Sequence, residues 1–366
     1  MMTGCIGEKG MANRHEKGFS LVELMVALVI SSLVMLGVVQ IFIANNKSFH
    51  MQKANARTQE AGRIAMEMLT REARNAGFFG CTPSEGLVNN LDENDAGYSE
   101  DQHDMSLDEA VMTVQPSSSL SMPTNQITNS HNLRLLGVKA ARDGSGNAIE
   151  MRVEDVPNSA NFQVNNADGL EEGDIIALTD CIGGDVVQVT NVQSGGVIVA
   201  NSGTTHSPGN SYDEGFDGCS GSNCPSRLYS EGARINRLGV TMYYVENPTD
   251  AEPALFRWDP ETNSGTELVQ GVADMRVQYG VGAGSVDWRS PSAVDPNWAD
   301  VRAVRISILV RSKNENLMND PMTYCFPGEP WDGQDCTESS NRTTASDGRL
   351  YRVYTATASV RNRNLE

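Results

Sequence analysis

The sequence predicts an α+β fold, in which one long N-terminal helix packs against an antiparallel β-sheet and an additional region is rich in strands and loops. Three patterns predict it: an apolar run over residues 19–44, helical periodicity that continues to about residue 75, and short β-type segments from about residue 133 onward. We expect the first half of the helix to span a membrane and the second half to carry the β-rich remainder of the chain.

The composition excludes several function classes. Of the 366 residues, 39% are hydrophobic and 20% are charged, which is typical of a chain that folds around a large core. The formal net charge of −19 repels phosphate backbones, so we expect no nucleic-acid partner. The sequence contains no phosphate-binding loop, no HExxH and no GxSxG motif, and its histidines lack metal-ligand spacing. We therefore expect no catalytic residue, no metal site and no cofactor.

The N-terminal segment combines a short basic part with a long apolar part. Arg14 and Lys17 precede the apolar run over residues 19–44, which exceeds the roughly 20 residues needed to span a bilayer. A secretory signal is shorter and ends at a small-residue cleavage site, which is absent here. The basic flank predicts a cytoplasmic N-terminus, with the rest of the chain outside. Glu23 is the one acidic residue within the run, and an acid in such a place is a functional hypothesis by default.

The segment KGFSLVEL, Lys17 to Leu24, resembles the class III signal of type IV prepilins and pseudopilins. The resemblance implies that a prepilin peptidase cleaves after Gly18 and methylates the new N-terminus at Phe19. It also implies that Glu23 pairs with the N-terminal amine of a neighbouring subunit during assembly. Translation can start at Met1 or at Met11, and the second start gives a leader closer to the usual short form.

The second half of the helix shows a stripe with helical spacing. Ala61, Ile64, Ala65, Met68 and Leu69 are predicted to face the folded head, and Gly77 is a plausible stop after Asn75. Residues 83–130 read as long loops with one short strand. The last third carries the clearest strands, and we expect them to form one antiparallel sheet on the helix, buried on one face.

The order of several late segments resembles the PilW group of minor pilins. These segments are REARNAGFFGC, GDIIALTDC, RINRLGVTMYYVE, LVQGVADMRVQYGV and the closing SVRNR. The resemblance implies a fimbrial subunit that joins other minor pilins and the tip adhesin, primes type IV pilus assembly with the major pilin, and supports twitching motility and adhesion. It implies an inner-membrane precursor with a periplasmic head, and a surface location after assembly. A J-type pseudopilin of a type II secretion system and a pilin-anchored adhesive module remain alternatives.

The cysteines predict disulfide bonds. Six lie outside the leader, namely Cys81, Cys181, Cys219, Cys224, Cys325 and Cys336, and an even number in an exported protein is typical of disulfide pairing. Proximity in sequence favours Cys219 with Cys224 and Cys325 with Cys336, which leaves Cys81 with Cys181. Sequence alone does not select among the pairings, and a reduced or metal-binding set is the alternative.

We expect five segments along the chain. These are a leader (1–18), a transmembrane or filament-core helix (19–44), its amphipathic continuation (45–77), a loop- and β-rich region (78–232), and the antiparallel sheet of the head (233–366).

Overall fold

The computed structural model describes most of the chain after the leader. The described ranges are 18–80, 86–99, 103, 111–112, 126–127, 129–155, 159–203, 205–212, 215–216, 219, 223–248, 251–282, 285–294, 298–327 and 342–360. The chain divides after Lys53 into two compact units. The first is the N-terminal part of a helix, and the second, from Ala54, is the β-rich head together with the rest of that helix.

Helix α1 spans Leu21–Asn75 and confirms the predicted long helix. It ends where the sequence indicates, because Gly77 adopts φ +71°, a left-handed conformation that glycine accepts without strain. The Gly77 amide then donates to the Leu136 carbonyl oxygen at 2.8 Å, so the chain just after the helix is hydrogen-bonded to a strand of the head.

The buried face of α1 differs from the predicted stripe in part. Ala61, Ala65 and Leu69 are buried as expected, whereas Ile64 is 38% exposed. The observed face is centred one position further round the helix and is lined largely by small residues. Its members are Thr58, Ala61, Gly62, Ala65, Met66, Leu69, Thr70 and Ala73.

Eighteen strands form four sheets within the described residues, with two short helical turns. The strands are β1 Leu87–Asn89, β2 Val111–Met112, β3 Leu133–Lys139, β4 Met151–Arg152, β5 Asn161–Gln163, β6 Ile175–Thr179, β7 Gly184–Gln188, β8 Asn191–Gln193, β9 Val197–Val199, β10 Arg234–Glu246, β11 Ala254–Asp259, β12 Ser264–Gln270, β13 Val272–Val281, β14 Asp287–Arg289, β15 Val301–Arg311, β16 Met322–Cys325, β17 Arg342–Ala345 and β18 Tyr351–Ser359. The turns are α2 Pro291–Val294 and a 3-10 turn Trp298–Asp300.

The largest sheet has nine strands and is organised around β10. Its main order is β1-β7-β6-β10-β11-β12, and β10 also pairs with β3 and β4. Every pairing in it is antiparallel except that of β1 with β7. This sheet takes strands from both sides of residue 232, so the segment boundary expected there separates strands that are hydrogen-bonded to one another. The five-segment division remains a prediction.

A second sheet, of order β14-β13-β15-β18, lies on the buried face of α1. Val304, Ile306, Ile308 and Val310 point from β15 into the core that contains Ala65 and Leu69. The clear strands of the last third are therefore divided between two sheets, and the expectation of one sheet was wrong on this point. The expected single buried face also fails, because Ser307 and Leu309 on the opposite face of β15 are buried as well.

The opposite face of β15 is covered by a strand pair that the sequence reading missed. Strands β16 and β17 form a separate antiparallel pair, and Phe326 and Tyr351 pack with Leu309 in a small cluster of their own. The remaining sheet has three strands in the order β5-β9-β8, and it covers a further core around Phe162, Ile176 and Ile198. The head is thus a multi-core β structure attached to the second half of α1.

Candidate assembly site

The helix start brings together the residues for which the sequence predicts processing and assembly. Gly18 and Phe19 precede the helix, and the Phe19 side chain is 83% exposed. The Leu24 amide donates to the Ser20 carbonyl oxygen at 3.1 Å, which makes Ser20 the N-cap residue. Glu23 lies in the first turn. Negative charge is favoured there by the unpaired amides and by the positive end of the helix dipole.

Ser20 and Glu23 together have the spacing of a capping box, which the sequence reading missed. In that motif an N-cap serine is followed three residues later by a glutamate that can reach back to the N-cap amide. The signal was present in the letters SLVE, Ser20 to Glu23. The carboxyl group of Glu23 therefore suits the helix start, and pairing of its charge with a cationic partner remains the role that the sequence predicts.

The first half of α1 presents an apolar surface on every side. All residues from Leu21 to Asn46 are exposed, including Leu28, Leu33 and Phe42. Among the described helices, α1 is long and apolar enough to cross a membrane by length and composition, and no part of that stretch is buried in the chain. A surface of this kind needs lipid or the apolar helices of other subunits around it.

Close packing and hydrogen bonds hold the second half of α1 on the head. A Cβ atom at Gly62 would stand 2.2 Å from a ring carbon of Tyr354, so only glycine permits the observed approach. The Tyr354 hydroxyl donates to the Thr58 carbonyl oxygen at 3.2 Å, and the Arg352 guanidinium donates to the Asn55 side-chain oxygen at 2.7 Å. The helix is thereby fixed to β18 at the beginning of the head.

An ion pair adds to this attachment at the same end of the head. The Arg57 guanidinium lies 3.3 Å from the Glu252 carboxylate and donates to the Gln270 side chain at 3.1 Å. Arg57 is about half exposed, so the pair contributes little to stability, about 0–1 kcal/mol. The main effect of the ion pair is to hold the helix in a fixed position against the β11–β12 region.

A disulfide bond joins Cys219 to Cys224. Cys181 and Cys325 are also disulfide-bonded. Cys81 and Cys336, the partners that the sequence predicts for them, lie outside the described residues, as do the leader residues before Gly18. The pairings of Cys181 and Cys325 therefore remain predictions.

A buried carboxylate at Asp185 ties three parts of the β-rich region together, and no sequence motif marked it. Asp185 has no exposed surface. It accepts hydrogen bonds from the Asn90 side-chain amide, from the Ser226 amide and hydroxyl, and from the Tyr229 hydroxyl. Burial and the neighbouring Asp185 raise the pKa of Tyr229 far above its usual value, so the phenol stays a donor. The network is structural, since it satisfies a buried charge with donors from segments distant in sequence.

The described residues offer no group of three or more His, Cys, Asp or Glu side chains that could hold a metal ion. The turn at Asp143 is closed by its own hydrogen bonds. The Asp143 carboxylate accepts from the amides of Ser145 and Asn147, as expected of a tight hairpin turn.

Two family models match the chain. The first, described as type IV pilus-assembly protein W, matches residues 242–362, which include the second sheet and its contact with α1. The second, the prokaryotic N-terminal methylation motif, matches residues 13–39, which include Gly18, Phe19 and Glu23. No curated protein and no solved structure matches the chain.

An apolar helix that begins at a methylation motif and continues into an antiparallel β head defines a type IV pilin-like protein. The match over residues 242–362 narrows the class further. Together the two matches support a PilW-like minor pilin of the type IV pilus. The PilW family is structural rather than enzymatic.

Proposed function

We propose that this chain is incorporated with other minor pilins into a complex that primes type IV pilus assembly and lies at or near the pilus tip. The observation that carries the proposal is the match of residues 242–362 of the head to type IV pilus-assembly protein W, combined with the methylation motif at the helix start. Through this role the protein would support twitching motility and adhesion. Its partners would be other minor pilins, the tip adhesin and the major pilin, and it would have no catalytic activity of its own.

The path of the subunit follows from the properties of α1. The precursor would sit in the inner membrane, because residues 24–46 carry no charge and every one of them is exposed. Its head would lie in the periplasm, because the basic residues before the apolar run would stay on the cytoplasmic side. A prepilin peptidase would then cleave after Gly18 and methylate Phe19. The exposed apolar surface would leave lipid for the helices of other subunits without a change of fold.

Glu23 would supply the assembly contact. Cleavage after Gly18 creates a positively charged amine at Phe19, and a carboxylate that enters a helix bundle needs a cationic partner. The Glu23 carboxylate of one subunit would pair with the Phe19 amine of a neighbour. Mass spectrometry of assembled protein should find methylated Phe19 as the first residue, and an intact Lys17–Phe19 segment would contradict the processing step.

Deletion and complementation test the assembly role. Deleting the gene should abolish or strongly reduce surface pili and twitching, and the intact gene should restore both. Surface pili and twitching that remain at wild-type level after deletion would overturn the proposal. Loss of type II secretion with intact pili would instead favour the J-type pseudopilin, and binding of host ligand by purified protein without other pilins would favour an adhesive module.

A further inference from the structure

The segment of α1 that follows the apolar stretch has a one-sided charge composition. Between Glu23 and Glu60 the chain contains no acidic residue, but it contains Lys47, Lys53 and Arg57. Arg57 is engaged with Glu252 of the head. Lys47, His50 and Lys53 all belong to the N-terminal unit and lie just beyond the apolar stretch, in a chain whose formal net charge is −19.

The spacing of charges along α1 matches the thickness of a bilayer. Residues 24–46, between Glu23 and Lys47, carry no charge, and at about 1.5 Å per residue they extend roughly 34 Å. The hydrocarbon layer is about 30 Å thick, with a polar layer of several ångströms on each side. If Glu23 lies at one surface of the bilayer, Lys47 lies at the other. Lys53 follows roughly 9 Å further, within about one Debye length of that surface.

An exposed aromatic side chain supports the same placement. Phe49 is 61% exposed, and its ring contacts that of His50 at a centroid distance of 5.9 Å. In water a large exposed aromatic ring between polar neighbours is unfavourable, whereas membrane interfaces accommodate amphipathic aromatic residues and long basic side chains together. Lys53 is exposed and forms no ion pair within the described residues.

We propose that Lys47, Lys53 and Phe49 form a headgroup-binding segment that selects anionic phospholipids in the outer leaflet of the membrane that holds the precursor. The proposal rests on the membrane anchoring in the proposed function. Phe49 enters the boundary of the acyl chains, and the two ammonium groups contact lipid phosphates. The segment fixes the depth of the helix and keeps a strongly acidic head associated with a negatively charged surface that would otherwise repel it.

The acidic surface of a neighbouring subunit is the other partner with suitable charge. The geometry favours lipid, because Lys47 follows the uncharged stretch immediately and because an acidic protein partner would give no role to the exposed Phe49 ring. Contact with a neighbouring subunit is therefore an outcome to be distinguished by experiment.

The test uses the full chain reconstituted in phosphatidylcholine vesicles that contain about 30 mole per cent of the anionic lipid phosphatidylglycerol. Trace spin-labelled phosphatidylglycerol or phosphatidylcholine reports the fraction of lipid held at the protein. We expect wild type to favour the anionic label about threefold or more at low salt, since each basic residue near such a surface contributes roughly fivefold at most. The preference should disappear near 1 M salt, where the Debye length is about 3 Å.

The variant Lys47→Gln/Lys53→Gln should lower the preference to about one. The matched control Arg63→Gln/Arg71→Gln removes the same charge from exposed positions on the same helix, roughly 24 Å or more beyond Lys47, and should keep the wild-type preference. No preference in wild type, or an equal loss in both double variants, would overturn the proposal. Loss of pilus assembly by the Lys47/Lys53 variant without any lipid preference in wild type would assign these lysines to a subunit contact instead. Because the lipid measurement uses no other pilin, it can fail while the assembly role holds.

Discussion

At the scale of single residues, Glu23 combines an observed position in the first turn of α1 with a proposed role in assembly. Glu23 has the position of the third helical residue after the N-cap Ser20, where a carboxylate or an amide can complete a capping box. It also provides the negative charge that the proposed assembly contact needs. The two roles differ in chemistry, because capping needs an acceptor oxygen whereas pairing with an amine across subunits needs a full charge.

The variant Glu23→Gln separates these roles. Glutamine retains the acceptor and suits the capping position, so the full-length protein should still insert in membranes and retain its helix. Incorporation into pili should fall by about tenfold or more, because an uncharged amide cannot neutralise a buried amine. Quantitative immunoblots of sheared pili and of membranes measure both amounts. Wild-type incorporation of Glu23→Gln would show that charge at this position is dispensable.

A second residue-scale prediction concerns His103, whose ring nitrogen Nδ1 accepts a hydrogen bond from the Ser99 amide at 2.9 Å. Burial lowers the pKa of His103 below its usual value, and this outweighs the opposing attraction of Asp95. The folded state then binds fewer protons than the unfolded state. The stabilising contribution is fully present above about pH 6.5, the usual value, and is lost as the pH falls through the lowered folded pKa.

The thermal unfolding midpoint of wild type should therefore fall more between about pH 8 and about pH 5 than that of His103→Gln. These two pH values lie on either side of the usual histidine pKa. Glutamine provides an acceptor that does not titrate in this range. His50→Gln, at an exposed position of α1, should behave like wild type. Identical pH profiles for wild type and His103→Gln would contradict the assigned role of this ring.

At the scale of elements, the termini of α1 were predictable and its packing face was not. Local signals define the ends, since Ser20 caps the start and Gly77 takes a left-handed conformation after the last turn. The face depends on what lies opposite. Gly62 carries no side chain to count in a hydrophobic pattern, yet its absence of a Cβ atom lets Tyr354 approach the helix and turns Ile64 outward.

Replacing Gly62 with valine should destabilise the full-length protein by about 1–3 kcal/mol, because the new side chain overlaps the Tyr354 ring and disrupts its hydrogen bond to the Thr58 carbonyl. Denaturant unfolding in detergent measures the loss. Gly37→Val is the matched control, since a Cβ atom at Gly37 meets nothing within 4 Å. Equal stability of both variants would show that the approach of β18 to the helix does not depend on glycine.

Disulfide bonds give a further prediction at this scale. The Cys219–Cys224 bond closes a loop of only a few residues, so Cys219→Ser/Cys224→Ser should cost about 2 kcal/mol or less. If Cys181 pairs with Cys81, as the sequence predicts, that bond closes a loop of about 100 residues and Cys181→Ser should cost more, about 4–5 kcal/mol. Peptide mapping without reduction identifies the partner of Cys181. A partner other than Cys81 would contradict the predicted pairing.

At the scale of the whole molecule, the sequence predicted the fold class because the α+β division rests on local periodicity. The nine-stranded sheet was not predictable, since β10 pairs with β3, β4, β6 and β11, which lie at different distances along the chain. The same holds for Asp185, whose donors Asn90 and Tyr229 come from remote segments. The candidate assembly residues Gly18, Phe19 and Glu23 could be named from the sequence because they lie within one short motif, which a family model also matches, and their roles remain predictions.

The division after Lys53 leads to the last prediction, that the chain from Ala54 onward folds without the apolar helix. Within the part of the chain that the structure describes, all four hydrophobic clusters are built from residues after Ala54, and Thr58 is the first buried residue of α1. The contacts of Asn55, Arg57 and Gly62 with the head also lie within this unit.

A chain beginning at Ala54 should therefore remain soluble, unfold cooperatively by near-ultraviolet circular dichroism, and resist the same denaturant concentration as the full-length protein in detergent. A truncated chain that lacks a cooperative transition would show that residues before Ala54 contribute to the stability of the head. If it folds, it also provides the reagent for co-purification with candidate minor pilins, because the apolar surface that would cause non-specific association is absent.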